Sequence, residues 1–166
     1  MLRVIFDTNI YGFLSKENDA TELKHRIRND EGFIVYGFQP VRKELRDIPK
    51  DKVVARQSRI ALLELYDWIT KEHILSNSDK IASLGKEYYK QYRKVKGLRN
   101  WGEIGVDFLV VACATLNNLD VVCSGDQKTL VSERAQLVYN KVNRLWRYRT
   151  PNFLDYESLL EMFRKK

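Results

Sequence analysis

Short β-rich apolar runs alternate along the chain with longer stretches of helical period. Leu2-Arg3-Val4-Ile5-Phe6 predicts a strand, and Asp7-Thr8-Asn9 turns it into a helix to about Leu14, with Thr8 or Asn9 as its cap. Residues 19–30 predict a second helix, with Leu23 and Ile27 at helical spacing. Gly32 and Gly37 bracket the compact strand Phe33-Ile34-Val35-Tyr36. Pro40 opens a short helix carrying Val41, Glu44, Leu45 and Ile48, and Pro49 closes it. Residues 51–70 predict a long amphipathic helix, with Val53, Val54, Ile60, Leu63 and Trp68 on or near one face. His73-Ile74-Leu75 reads as a brief strand and 78–95 as a helix ended by Gly97. Beyond it, 104–117 reads as a buried helix, 119–123 as a strand and about 131–145 as a helix. Strand–helix alternation of this kind predicts a three-layer α/β/α sandwich around a central, mainly parallel sheet. No repeat, low-complexity segment or Pro/Gly/Ser-rich linker divides the chain, so 1–166 reads as one domain with a longer helical segment around 50–102.

Four carboxylates break this apolar pattern. Asp7 ends the first apolar run, and Asp126 follows Leu119-Asp120-Val121-Val122-Cys123 by a Ser-Gly pair. Asp107 lies within the otherwise apolar stretch Ile104 to Leu116, and Glu44 sits on the helix after the strand at 33–36. In open α/β sheets, ligands bind outside the carboxyl ends of the strands. All four acids belong to segments that reach this edge. Acids at strand ends and on a buried helix face need a partner, and a divalent cation satisfies several at once.

Composition narrows the alternatives. With 166 residues the chain is long enough for a core without disulfides, and 44% apolar and 31% charged residues are ordinary globular chemistry. No apolar run approaches a membrane span, and one Arg with four apolar residues before Asp7 does not make a signal peptide. Cys113 and Cys123 sit in apolar contexts with no CxxC or Cys/His cluster, which reads as two reduced core thiols in a cytoplasmic protein. A net charge of +7 and a pI near 9.4 favour a polyanionic partner, nucleic acid above all.

Five segments, taken in order, resemble the PIN domain family of metal-dependent ribonucleases, VapC-type toxins among them. They are Ile5-Phe6-Asp7-Thr8-Asn9, Val41-Arg42-Lys43-Glu44-Leu45, Val106-Asp107-Phe108-Leu109-Val110-Val111-Ala112, Ser124-Gly125-Asp126 and Thr150-Pro151-Asn152-Phe153-Leu154. The resemblance covers nearly the whole chain. It implies a parallel sheet of about five strands, one or two Mg²⁺ or Mn²⁺ ions, and endonucleolytic cleavage of RNA. Asp7, Glu44, Asp107 and Asp126 fall on the family's acidic positions, and Thr8, Asn9 and Ser124 on its polar supporting positions. Phe38-Gln39-Pro40 departs from the pattern, since many members carry Ser or Thr before the Glu. The resemblance also implies a possible antitoxin protein and a possible homodimer as partners.

The chemistry suits these residue types. Two hard ions about 3.5–4 Å apart activate water, stabilise the phosphorane-like transition state and assist the leaving oxygen. On this reading Asp7 anchors the main ion with Asp107, Glu44 holds or orients the attacking water, and Asp126 completes the second ion's site. Glu103, one turn before Asp107, is a further supporting candidate. Plainer roles exist for each residue. Asp7 and Asp126 also suit turn and helix caps, Glu44 a surface ion pair with Arg42, Lys43 or Arg46, and Asp107 the field of a helix N-terminus.

The stretch from Lys86 to Trp101 interleaves cations with aromatics, as single-stranded RNA binding requires. Lys90, Arg93, Lys94, Lys96 and Arg99 are its candidate RNA contacts. The same spacing suits packing, since Tyr88 and Tyr92 stand at i and i+4. Arg144-Leu145-Trp146-Arg147-Tyr148-Arg149 has similar character. A phosphatase of the haloacid-dehalogenase type wants a second Asp where Asn9 stands, and a dinucleotide-binding fold wants a Gly-rich first turn. The rival that remains is a non-catalytic RNA-binding or scaffold protein with the same fold.

Overall fold

The computed structural model describes residues 1–16, 20–48 and 53–164. Five strands form one all-parallel sheet in the order β3-β2-β1-β4-β5, with β1 Leu2–Phe6, β2 Phe33–Phe38, β3 Ile74–Leu75, β4 Val121–Cys123 and β5 Asn152–Leu154. Val4, Ile5 and Phe6 of β1 and Val122 and Cys123 of β4 are almost wholly excluded from solvent, which explains their unbroken apolar runs. Eight helices surround the sheet among the described residues: α1 Thr8–Lys16, α2 Ala20–Asn29, α3 Gln39–Arg46, α4 Val53–Thr70, α5 Asp79–Lys94, α6 Trp101–Leu116, α7 Glu133–Trp146 and α8 Tyr156–Arg164. Helices α1, α2, α4 and α8 pack together as one layer, while α5, α6 and α7 form another. Helix α6 is enclosed by β1, β4, α3 and α5, so it is apolar nearly all round rather than along one stripe.

Several expectations are corrected in detail. Neither Thr8 nor Asn9 caps α1. Asp7 precedes the helix, and its carboxylate accepts the Thr8 N–H at 2.7 Å. The buried stripe of α4 is Leu62, Leu65, Tyr66 and Ile69, at i, i+3, i+4 and i+7, while Ile60 is turned to solvent. Pro49 and the side chains of Val53 and Val54 lie outside the described residues. Helix α8 was not anticipated. Its buried Leu159, Leu160 and Phe163 have helical spacing, and the Asp155 carboxylate accepts the Ser158 N–H at 2.8 Å where the helix begins. Both cysteines are free, buried thiols, and burial pushes the Cys113 thiol up to about 12.

Candidate functional site

Sheet register builds the centre of the site. Phe6 of β1 pairs with Cys123 of β4, and the Asp7 N–H continues the ladder to the Cys123 carbonyl at 2.9 Å. This places Asp7 beside Ser124 at the carboxyl ends of two neighbouring strands, where a parallel sheet offers its ligand crevice. Both are buried. The Asp7 carboxylate is held from three directions: Thr8 N–H at 2.7 Å, Asn9 Nδ2 at 2.6 Å and Ser124 Oγ at 2.9 Å. The Asn9 carboxamide also accepts the Gly125 N–H at 2.8 Å, and Ser124 Oγ accepts the Asp126 N–H at 3.0 Å. Asn9 and Ser124 therefore tie the end of β1 to the end of β4.

The other acids come from separate elements. Glu44 on α3 is exposed, and its Oε2 accepts the Thr8 hydroxyl at 2.5 Å. Asp126 is held in its own turn, with Oδ1 accepting the N–H groups of Lys128 at 2.9 Å and Thr129 at 3.0 Å, and Oδ2 accepting the Thr129 hydroxyl. Asp107 is half-buried on α6, and the Thr129 hydroxyl that Asp126 accepts lies near enough to hold its carboxyl down. Thr129 thus holds Asp126 and stands near Asp107, and it belongs to the site, although the sequence reading passed over it. A threonine three residues after a turn aspartate was the available signal.

The charges of the four acids act on one another. Burial pushes the Asp7 carboxyl up to about 6; the Ser124 and Thr8 donors oppose this, and the charges of Glu44 and Asp126 add to it. Burial likewise pushes Asp107 up to about 8, reinforced by Asp7, opposed by the Thr129 hydroxyl, and reinforced again by Asp126 and Glu44. Among the described residues no Lys, Arg or His forms an ion pair with any of the four. Among the described residues, no three His, Cys, Asp or Glu side chains stand together as a ready-made ligand set.

Not every candidate joins this cluster. Glu103 forms a capping box with Asn100, accepting its N–H at 2.8 Å, and lies 3.5 Å from Arg99. Its carboxylate serves the start of α6. The rings of the 86–101 stretch are packing groups: Tyr88 and Tyr92 are buried against Phe108, and Tyr89 packs edge-on to Trp101. Gly97 leaves room for the Tyr92 ring, which a Cβ there would strike. Lys90, Arg93, Lys94, Lys96 and Arg99 are exposed, with Arg93 bonded to the Gly97 carbonyl at 2.9 Å. The Phe38 N-cap of α3 offers no side-chain hydrogen bond, in keeping with the departure at Phe38-Gln39-Pro40.

The sequence matches no protein-family model and no curated protein. Solved structures do resemble it. A chain of the VapBC2 complex from Rickettsia felis, bound to a fragment of its promoter DNA, aligns with a TM-score of 0.61 at 14% identity, covering 93% of this chain and 99% of that one. A chain of the DNA-bound VapBC complex from Salmonella typhimurium gives 0.61 at 14% identity, over 93% and 98%. A chain of FitAB bound to an IR36 DNA fragment gives 0.53 at 16% identity, over 92% and 94%. The likeness is one of fold, and the five-stranded parallel sheet with its flanking helices is the PIN-like fold.

Proposed function

We propose that this PIN-like chain is a metal-dependent endoribonuclease that hydrolyses RNA phosphodiester bonds at Asp7, Glu44, Asp107 and Asp126. One observation carries the reading: Asp7 is fixed at the carboxyl ends of β1 and β4 by Thr8, Asn9 and Ser124, near enough to feel the charges of Glu44 and Asp126, and no protein cation among the described residues pairs with Asp7, Glu44, Asp107 or Asp126. The donor set fits Mg²⁺ or Mn²⁺, since these hard ions take oxygen ligands and keep several waters. Asp7 and Asp107 would hold the principal ion, and Asp126 would complete a second position. A divalent cation bound there supplies an activated water and neutralises charge on the phosphate. Glu44, solvent-facing and fixed by Thr8, orients the attacking water. Ser124 and Asn9 hold the Asp7 carboxylate in place, and Thr129 holds that of Asp126.

The fold likeness to chains of VapBC and FitAB complexes supports a narrower reading, in which the chain is the toxin of a toxin–antitoxin pair. The test of activity is cleavage of labelled single-stranded RNA in Mg²⁺, Mn²⁺ or EDTA by wild type, Asp7→Asn and Asp107→Asn. Cleavage that needs the metal and disappears in both variants supports the assignment. A folded wild type that cuts none of several RNAs refutes it. Co-purification with a small protein encoded alongside, together with loss of cleavage in the complex, tests the toxin role.

A further inference from the structure

A groove of about 730 Å³ opens directly beside the acid cluster. One wall is α3 and its C-cap Asp47, with Pro40, Arg42, Lys43, Glu44 and Arg46 all lining it. The opposite wall is Val106 and Leu109 of α6, flanking Asp107 in sequence. Asn77, just after β3, closes one end against Gln39 at the start of α3. Glu44 therefore belongs to both the groove and the acid cluster.

We propose that this groove is a base-specificity subsite, which takes one nucleotide of single-stranded RNA adjacent to the scissile phosphate. The inference rests on the ribonuclease reading of the site. Its volume lies within the range of small-ligand sites, roughly 300–1,000 Å³. Val106, Leu109 and Pro40 offer apolar surface to a base face. Gln39 and Asn77 offer carboxamides, which donate and accept together as a base edge does. The Gln39 carbonyl already accepts the Asn77 backbone N–H at 3.3 Å, which aims its NH₂ group elsewhere. Of the three cations on this wall, Arg42 is held by Asp67 at 2.7 Å and Arg46 by Asp47 at 3.0 Å. Lys43 has no ionic partner among the described residues and is placed to meet a phosphate. Among the described residues no aromatic ring lines the groove, and Tyr88 and Tyr92 are buried, while Trp146 and Tyr148 are exposed but are not among its lining residues.

The test is an NMR titration of the full-length chain in EDTA, where RNA binds without being cut. The probes are the four homopolymeric tetraribonucleotides, and the readout is the methyl resonances of Val106 and Leu109. The expected result is saturable shifts at both residues with one base bound about tenfold or more tighter than the weakest. Asn77→Ala and Gln39→Ala should level the affinities among bases, whereas Lys43→Ala should weaken all four alike. If the wild type cleaves RNA yet no tetranucleotide shifts these methyls, the groove assignment fails and the ribonuclease reading stands. If neither cleavage nor RNA binding occurs, the ribonuclease reading itself fails and takes the subsite with it. Shifts produced only by a protein partner that also blocks the groove would overturn the assignment in favour of a protein-docking surface.

Discussion

Asp107→Asn should stabilise the cation-free protein, and the size of the effect follows from the geometry. Asp107 sits on a helix otherwise buried in apolar contacts and faces Asp7, Asp126 and Glu44. Its carboxyl rises from 3.8 to about 8, a shift that costs about 4 kcal/mol at pH 7 if fully transmitted to folding. Solvent reaching the half-buried side chain reduces this to about 1–3 kcal/mol. The direction is fixed by linkage. A carboxyl whose folded pKa is raised costs nothing below its unfolded value, where both states are protonated, and the cost grows until pH passes the folded value. The wild type in EDTA should therefore lose stability between about pH 4 and pH 8. The variant carries a neutral carboxamide and should lose much less. For a chain of this length the difference at pH 7 corresponds to roughly 3–10 °C in melting temperature. Differential scanning calorimetry in EDTA at pH 4.5 and pH 7 measures it. A variant less stable than wild type at pH 7, or a difference equal at both pH values, would falsify this account of the cluster.

Three further outcomes are expected. Thr129→Val removes the hydroxyl that Asp126 accepts, costing about 1–2 kcal/mol of stability and most of the RNA cleavage; cleavage at the wild-type rate would contradict its supporting role. Ser124→Ala removes a donor that holds the Asp7 carboxyl down, so Asp7 should rise above about 6 and carry the acid limb of the cleavage pH profile upward with it; an unmoved limb would argue against Asp7 as the titrating group. Tyr88→Phe breaks the buried contacts of its hydroxyl to Asn143 at 2.6 Å and Thr115 at 3.2 Å, and should cost about 1–2 kcal/mol in urea unfolding while cleavage per folded molecule stays unchanged.

The parallel sheet was legible because buried strands leave unbroken apolar runs, and acids at the ends of such runs stand out. Asp7 and Asp126 were visible for this reason, and Asp107 because an apolar helix had no other place for a charge. Thr129 escaped notice because its role arises only when the 126–129 turn closes and brings its hydroxyl onto the Asp126 carboxylate. Glu103 shows the opposite failure. Its spacing from Asp107 suggested a shared face, yet Asn100 three residues before it already carried the capping-box signature. The Tyr88–Tyr92 pair was ambiguous in principle, since i, i+4 aromatics serve a core or a ligand equally well. Phe108 settles the matter from a helix the local pattern does not include. Helix α8 had both a cap and an apolar period, Asp155 and then Leu159, Leu160 and Phe163, and was readable from the chain.

The same raised carboxyls make a quantitative statement about cation binding. A carboxylate must be ionised to act as a ligand, so binding displaces whatever protons the site holds. With Asp107 at about 8 and Asp7 at about 6, the cation-free site at pH 7 carries about one proton, nearly all of it on Asp107. Mn²⁺ or Mg²⁺ binding at pH 7 should therefore release about one proton per chain, falling towards zero by about pH 9. Isothermal titration calorimetry in buffers of different ionisation enthalpy counts these protons directly. Asp107→Asn should abolish the release along with most of the affinity. Heats that do not depend on the buffer at pH 7 would mean that the ion does not engage Asp107, and the principal site would then have to be built around Asp7 and Asp126 without it.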